Sequence, residues 1–236
     1  MEPLKPGCRV LVADFRADFG FFRKPYTNMS PRTFPIPPGT TIRGMLAAIR
    51  GVDRELAPEF YADARLALRL CDPVRRRNLG INYLKTTSSS HFARFKEHKP
   101  TNQELLVEPH FRFFVHLPDP DEHEALRDLL VHHRSVYTLS FGNSESLANY
   151  RWIGDAEVVE SASGSAELAS IAPTETVSDM DYRHRELFTT TLPDVMNNQR
   201  VVQRFTEFIF DRNGRTLQGR FSQFNRLSTG ESVVFF

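Results

Sequence analysis

Hydrophobic and polar positions alternate through residues 8–16 (CRVLVADFR), which predicts a strand with Val10 and Val12 on one face and Leu11, Ala13 and Phe15 on the other. Residues 17–39 break the pattern with five prolines and read as irregular. The period then changes: Ile42, Met45, Leu46 and Ile49 fall at i, i+3, i+4 and i+7, which predicts a helix over 40–50. Thr40 or Thr41 is its expected cap and Gly51 its expected end, with Arg43 and Arg50 on one face. Residues 65–71 and 111–117 (FRFFVHL) read as strands. Residues 121–133 read as a helix with Leu126, Leu129 and Leu130 inward, acids in its first turn and His132, His133 and Arg134 at its end. A fourth strand is expected over 150–160.

The order β-α-β-β-α-β predicts an α+β chain of ferredoxin-like or RRM topology over residues 1–160. Between its second and third strands, about residues 73–110 form an insertion too long for an ordinary connection. After the Ser/Gly/Ala-rich stretch 161–166 the chain turns mostly β, so 161–236 reads as a β-rich C-terminal extension. Within it, strands 201–211 and 216–224 flank Asn213-Gly214, a strong hairpin signal, and 232–236 reads as a last strand.

Charge sharpens this picture. The net charge of +1 conceals 18 Lys/Arg against 9 Asp/Glu in residues 1–100, and 12 against 20 in residues 101–236. A basic half points to a polyanion and an acidic half to protein neighbours or solvent. No run approaches the roughly 18 apolar residues of a membrane span. Residues 1–7 do not resemble a signal peptide, and two isolated cysteines make neither a disulfide framework nor a zinc site. A cytoplasmic protein without metal or cofactor is expected.

Two segments combine positive charge with stacking or hydrogen-bonding side chains. In 18–51, Arg23, Lys24 and Arg32 alternate with Phe21, Phe22, Tyr26 and Phe34, as single-stranded RNA recognition requires. The start of the helix at Thr40-Thr41 adds N–H groups that favour an anion. Equally, this stretch reads as a Pro-stiffened loop whose aromatics pack on the core. In the insertion, Arg75, Arg76, Arg77, Asn82, Tyr83, Lys85, His91, Arg94 and Lys96, with His98 and Lys99, suit a clamp along a sugar-phosphate backbone; a solvated loop is the bland alternative. Gly142, Asn143 and Ser144 lie in a Gly/Ser loop that suits either a phosphate or a tight turn. A metal-free ribonuclease needs His, Lys or Tyr beside a 2′-OH, and Lys24, Tyr26, Tyr83, Lys85 and His91 have that chemistry.

The segments FRKPYT, TFPIPPGTT and GMLAAIRG resemble the N-terminal signature of the fifth CRISPR-associated (Cas) family, a RAMP-superfamily subunit of Cascade. RNLGINYLKT, HRSVYTLSFGNSESLANY, RVVQRF and GESVVFF extend the resemblance over nearly the whole chain, best with the type I-B branch. The resemblance implies an RRM-like domain that caps the crRNA 5′ handle, a thumb hairpin in the insertion, and contacts with the backbone and large subunits. Target DNA near the PAM is then reached through the complex. It also implies RNA contacts at Arg23, Lys24, Tyr26 and Arg32, and more loosely at Arg43 and the Gly142 loop. A type I-C-like nuclease is the alternative, and a free-standing RRM-type RNA-binding protein is a third.

Overall fold

The protein, seen in a computed structural model, is described here for residues 2–85, 88, 97–183 and 185–236. The first half contains β1 (Arg9–Ala17), β2 (Phe19–Gly20), α1 (Gly39–Arg50), α2 (Ala57–Phe60), β3 (Arg65–Leu70), β4 (Arg76–Leu84), β5 (His98–Val107), β6 (His110–His116) and α3 (Pro120–Val131). The second contains β7 (Ala148–Leu168), β8 (Ala172–Pro173), β9 (Val177–Met180), β10 (Leu187–Met196), β11 (Val202–Asp211), β12 (Leu217–Leu227) and β13 (Ser232–Val233). The chain is mixed α/β and rich in strand.

The main sheet has the order β13-β12-β7-β1-β6-β3, with β9 also on β12, and every pairing is antiparallel. The two faces of β1 enter different cores, as its alternation predicts. Leu11, Ala13 and Phe15 pack with Ile42, Met45, Leu46 and Ile49 of α1 and with Leu126 and Leu130 of α3. Phe15 stacks on Phe113 with centroids 4.4 Å apart. Val10 and Val12 pack against Leu4, Phe114, Val233 and Phe235. Each such side chain stabilises the fold by about 1.5–3 kcal/mol through area removed from water.

Several expectations change on contact with the fold. The cap of α1 is Pro38, not a threonine, and no side chain caps it. A Cβ on Gly39 would lie 2.2 Å from Asp194 Oδ1, so a carboxylate of the chain itself stands at the helix start where an anion is expected. Arg43 is buried beside it. Its guanidinium donates to Asp194 Oδ1 at 2.7 Å and to the carbonyls of Tyr61, Ala64 and Asp194 at 3.0, 3.0 and 2.9 Å. Arg43 therefore ties α1 to β10 and presents almost none of its side chain to solvent. Burial pulls its pKa down, opposed by the Asp194 charge.

The 161–166 stretch lies in the later part of β7, whose 21 residues pair first with β1 and then with β12. Small residues suit it because Ala162 and Ala166 pack beneath Phe221 and Phe224. Asn213-Gly214 turns, but makes no hairpin: β11 pairs with β10 and β8, while β12 joins the main sheet. Gly214 sits 3.0 Å, at its missing Cβ, from the Leu70 carbonyl, and Val74 N–H donates to Arg212 O at 2.8 Å. The turn is pinned to the end of β3 instead of being zipped by its own flanks. Only Ser232–Val233 of the last segment forms a strand, and Phe236 then exchanges two backbone hydrogen bonds with Leu66 at the edge of β3.

Candidate nucleic-acid interface

The insertion folds back as an antiparallel hairpin, β4 against β5, with Arg76 opposite Leu106 and Leu84 opposite His98. Its base joins the body through β2, which pairs Phe19 with Val107 and Gly20 with Leu106. Most of β4 is exposed, including Arg76, Arg77, Asn82 and Tyr83. His91, Arg94 and Lys96 lie outside the described residues.

Residues 23–33 form a small loop held against this base. Arg23 bridges to Thr33, Lys24 N–H donates to Arg32 O at 2.8 Å, and Glu104 N–H donates to Pro31 O at 3.0 Å. The Thr27 hydroxyl donates to Lys24 O at 2.9 Å and accepts from Arg32 N–H at 3.0 Å. Of the aromatics expected to stack on bases, Phe21, Phe22 and Phe34 are core residues, and Tyr26 alone stays open at 71% exposure. Hydrophobic burial claims a ring unless the loop turns it outward, as the Pro25-Tyr26 corner does.

The cations of this loop gather beside β4. Lys24 stands over the Phe34 ring at 5.6 Å from its centroid. Burial holds its pKa below the usual lysine range, and the charges of Arg76 and Arg32 add to that against the opposing pull of Glu104. Arg23, Arg32, Arg76 and Arg77 have no side-chain partner among the described residues. Cations that repel one another, with Glu104 as the carboxylate near them, favour a polyanion. Arg75 is paired with Glu108 at 3.1 Å, and Lys85 with Glu97 at 2.7 Å.

The Gly142 loop packs against the same segment. Phe21 N–H donates to Phe141 O at 2.8 Å, and Phe141 N–H donates to Ser146 O at 2.8 Å. Gly142 has φ of +96°, and a Cβ there would fall 2.0 Å from the Phe21 carbonyl oxygen. Glycine is thus required by close backbone approach. Asn143 Oδ1 is buried with no partner among the described residues, and Ser144 is exposed.

Among the described residues, Lys24 and Tyr26 lie at the opposite end of the hairpin from Tyr83 and Lys85. Tyr83 pairs in register with Lys99, seven positions along β4 from Arg76, which is roughly 23 Å of strand. Lys24 and Tyr26 remain at the hairpin base, while the Tyr83 hydroxyl donates to Gln103 Oε1 at 3.0 Å.

A polar patch on the sheet escaped the sequence reading. On the Val10/Val12 face, Arg16 lies opposite both His110 and Asn149, and Asp14 lies opposite both Arg112 and Arg151. Asp14 accepts from Arg112 Nε at 2.7 Å and from Arg151 Nη2 at 3.3 Å. Burial alone would raise its pKa, but bonds and charge from Arg112, helped by Arg151 and His110, hold it below the usual carboxylate range. Asp14, Cys71 and His110 bring donor atoms within 4.8 Å of one another. The set suits a cation poorly: two guanidiniums already occupy Asp14, and burial, with Asp14 nearby, pushes the Cys71 thiol up to about 11. Only the β1 alternation signalled this patch, since its partners come from β6 and β7.

The profile of a family described as CRISPR-associated protein (Cas_Cas5) matches residues 10–219. No match was found among curated protein sequences. Among solved structures, a chain of a CRISPR RNA-guided surveillance complex is 14% identical with a TM-score of 0.49, covering 89% of this chain and 91% of its own. A chain of the type III-B Cmr-beta complex bound to cognate target RNA and AMPPnP is 12% identical with a TM-score of 0.48, covering 89% and 86%. The functionally uncharacterized protein SMU1763c from Streptococcus mutans is 12% identical with a TM-score of 0.40, covering 62% and 68%.

Proposed function

The chain belongs to the CRISPR-associated Cas5 family, and from that premise we propose that it is a non-catalytic, type I-B Cascade subunit that grips the 5′ handle of crRNA. The observation that carries this reading is the cation group at the hairpin base: Lys24 within electrostatic reach of Arg32 and Arg76, on a loop that also carries Arg23 and the open ring of Tyr26, with no side-chain partner for these arginines among the described residues. Phosphates bind the cations and a base stacks on the ring. The β4–β5 hairpin serves as the thumb, and the order β7-β1-β6-β3 with two crossing helices supports a ferredoxin-like, RAMP-type core.

Protein neighbours, the backbone and large subunits of the complex, take the surfaces away from the RNA. An apolar groove of about 660 Å³ between α1 and α2, lined by Gly44, Ala48, Ala57 and Tyr137, supports such contacts. Target DNA near the PAM is met through the assembled complex, and sequence is read by guide pairing.

Tagged chain is expected to co-purify with crRNA whose handle is intact and with other effector subunits. Purified protein in EDTA is expected to bind repeat RNA without cutting it. Site-specific cleavage that a 2′-deoxy sugar at the scissile position abolishes would replace this reading with a metal-independent endoribonuclease.

A further inference from the structure

Between the hairpin base and the uncovered end of the sheet lies a polar cleft of about 580 Å³, a size suited to one nucleotide. Its lining adjoins the hairpin base along the chain, since Arg75 precedes Arg76 and Leu147 follows the Gly142 loop. Its charges divide into two groups. His110 Nδ1 lies 3.1 Å from Asp72, and Arg75 lies 3.1 Å from Glu108, so these four groups satisfy one another. Arg16 and Asp18 also line the cleft, and neither side chain has a partner among the described residues.

We propose that this cleft receives a single unstacked guanine of the bound RNA, read by Arg16 and Asp18. The inference rests on the RNA-binding reading above. A phosphate entering here would meet three carboxylates, Asp18, Asp72 and Glu108, and a metal ion would meet Arg16 and Arg75. A neutral ring with separate donor and acceptor edges meets neither penalty. A carboxylate accepts from guanine N1–H and the N2 amine, and a guanidinium donates to O6 and N7. Adenine presents an acceptor at N1 where Asp18 needs a donor, and uracil offers a single N–H. Leu147, 62% exposed at the rim, gives the base an apolar surface to cover.

The test measures anisotropy of labelled octauridylate, and of the same oligomer carrying one central guanosine, adenosine or inosine, with the full chain. The guanosine oligomer is expected to bind about tenfold tighter than octauridylate, as one bidentate base contact provides. Inosine, lacking the N2 amine, should lose most of that preference. Asp18→Asn and Arg16→Gln should each bring the guanosine-to-uridine ratio close to one. The triple variant Arg23→Ala, Lys24→Ala, Arg32→Ala should weaken all oligomers while keeping the ratio. Equal affinity for the guanosine and adenosine oligomers, or a preference that survives both cleft variants, overturns the proposal. Failure of every oligomer to bind overturns the RNA reading itself, and the pocket with it.

Discussion

The Arg43 guanidinium meets the Asp194 carboxylate at 2.7 Å, with 2% and 0% of their side chains exposed. Asp194 also accepts from Arg204 Nη2 at 2.6 Å, so one buried acid joins α1 to both β10 and β11. Removing Arg43 leaves Asp194 to Arg204 and takes the donor from three carbonyls in a dry site. Arg43→Ala is expected to lower stability by about 3–5 kcal/mol in urea unfolding. Below its unfolding transition the variant should keep the wild-type salt dependence of RNA binding. A flattened dependence would return Arg43 to the RNA surface.

The cations of the 23–33 loop should behave in the opposite way. Replacing Arg23, Lys24 and Arg32 with Ala is expected to reduce the slope of log affinity against log salt by about 2, at about 0.7 per phosphate contact. Thermal stability should hold or rise slightly, because Lys24 and Arg32 repel each other beside Arg76. An unchanged slope places the RNA elsewhere.

Two glycines offer a paired measurement. Gly142→Ala forces a Cβ to within 2.0 Å of the Phe21 oxygen at φ +96°, so the contact between the two loops must open. We expect a loss of about 2 kcal/mol or more, together with weaker RNA binding. Gly44→Ala meets nothing within 4 Å on an exposed turn of α1 and should gain about 0.5–1 kcal/mol. Differential scanning of both variants separates a packing glycine from a spare one.

His123 sets an acid limit. It is 2% exposed on α3, and burial first, then the charges of Arg9 and His116, press its pKa down to about 4. The unfolded chain takes up this proton near pH 6.5 while the native chain declines it. Stability is therefore full above pH 6.5 and falls as pH drops from 6.5 to 4, by up to about 3 kcal/mol. His123→Leu should flatten that limb in urea titrations, and an unaltered limb would assign it to the carboxylates.

Periodicity revealed both long helices, four strands of the main sheet and the two-faced character of β1. It did so because each of those elements states its burial in its own spacing. The burial of Arg43 is not legible in the sequence, because Arg43 flanks the apolar stripe of α1 and its carboxylate partner lies 151 residues away. Asn213-Gly214 specifies a turn but not which strands its flanks will join. The mixture of Phe21, Phe22 and Phe34 with cations looked like a stacking surface, yet three rings took the core and one remained outside. Arg16, His110 and Asn149 come together only through cross-strand register, which local sequence does not encode.

β7 gives the protein its mechanical character. One strand of 21 residues borders β1 at its start and β12 at its end, so a load applied to the C-terminal sheet passes along a hydrogen-bonded strut into the body. Register shifts bend this line without ending it, and a nick near residue 160 would cut the strut at mid-span. The body and its extension are therefore expected to melt in one calorimetric transition.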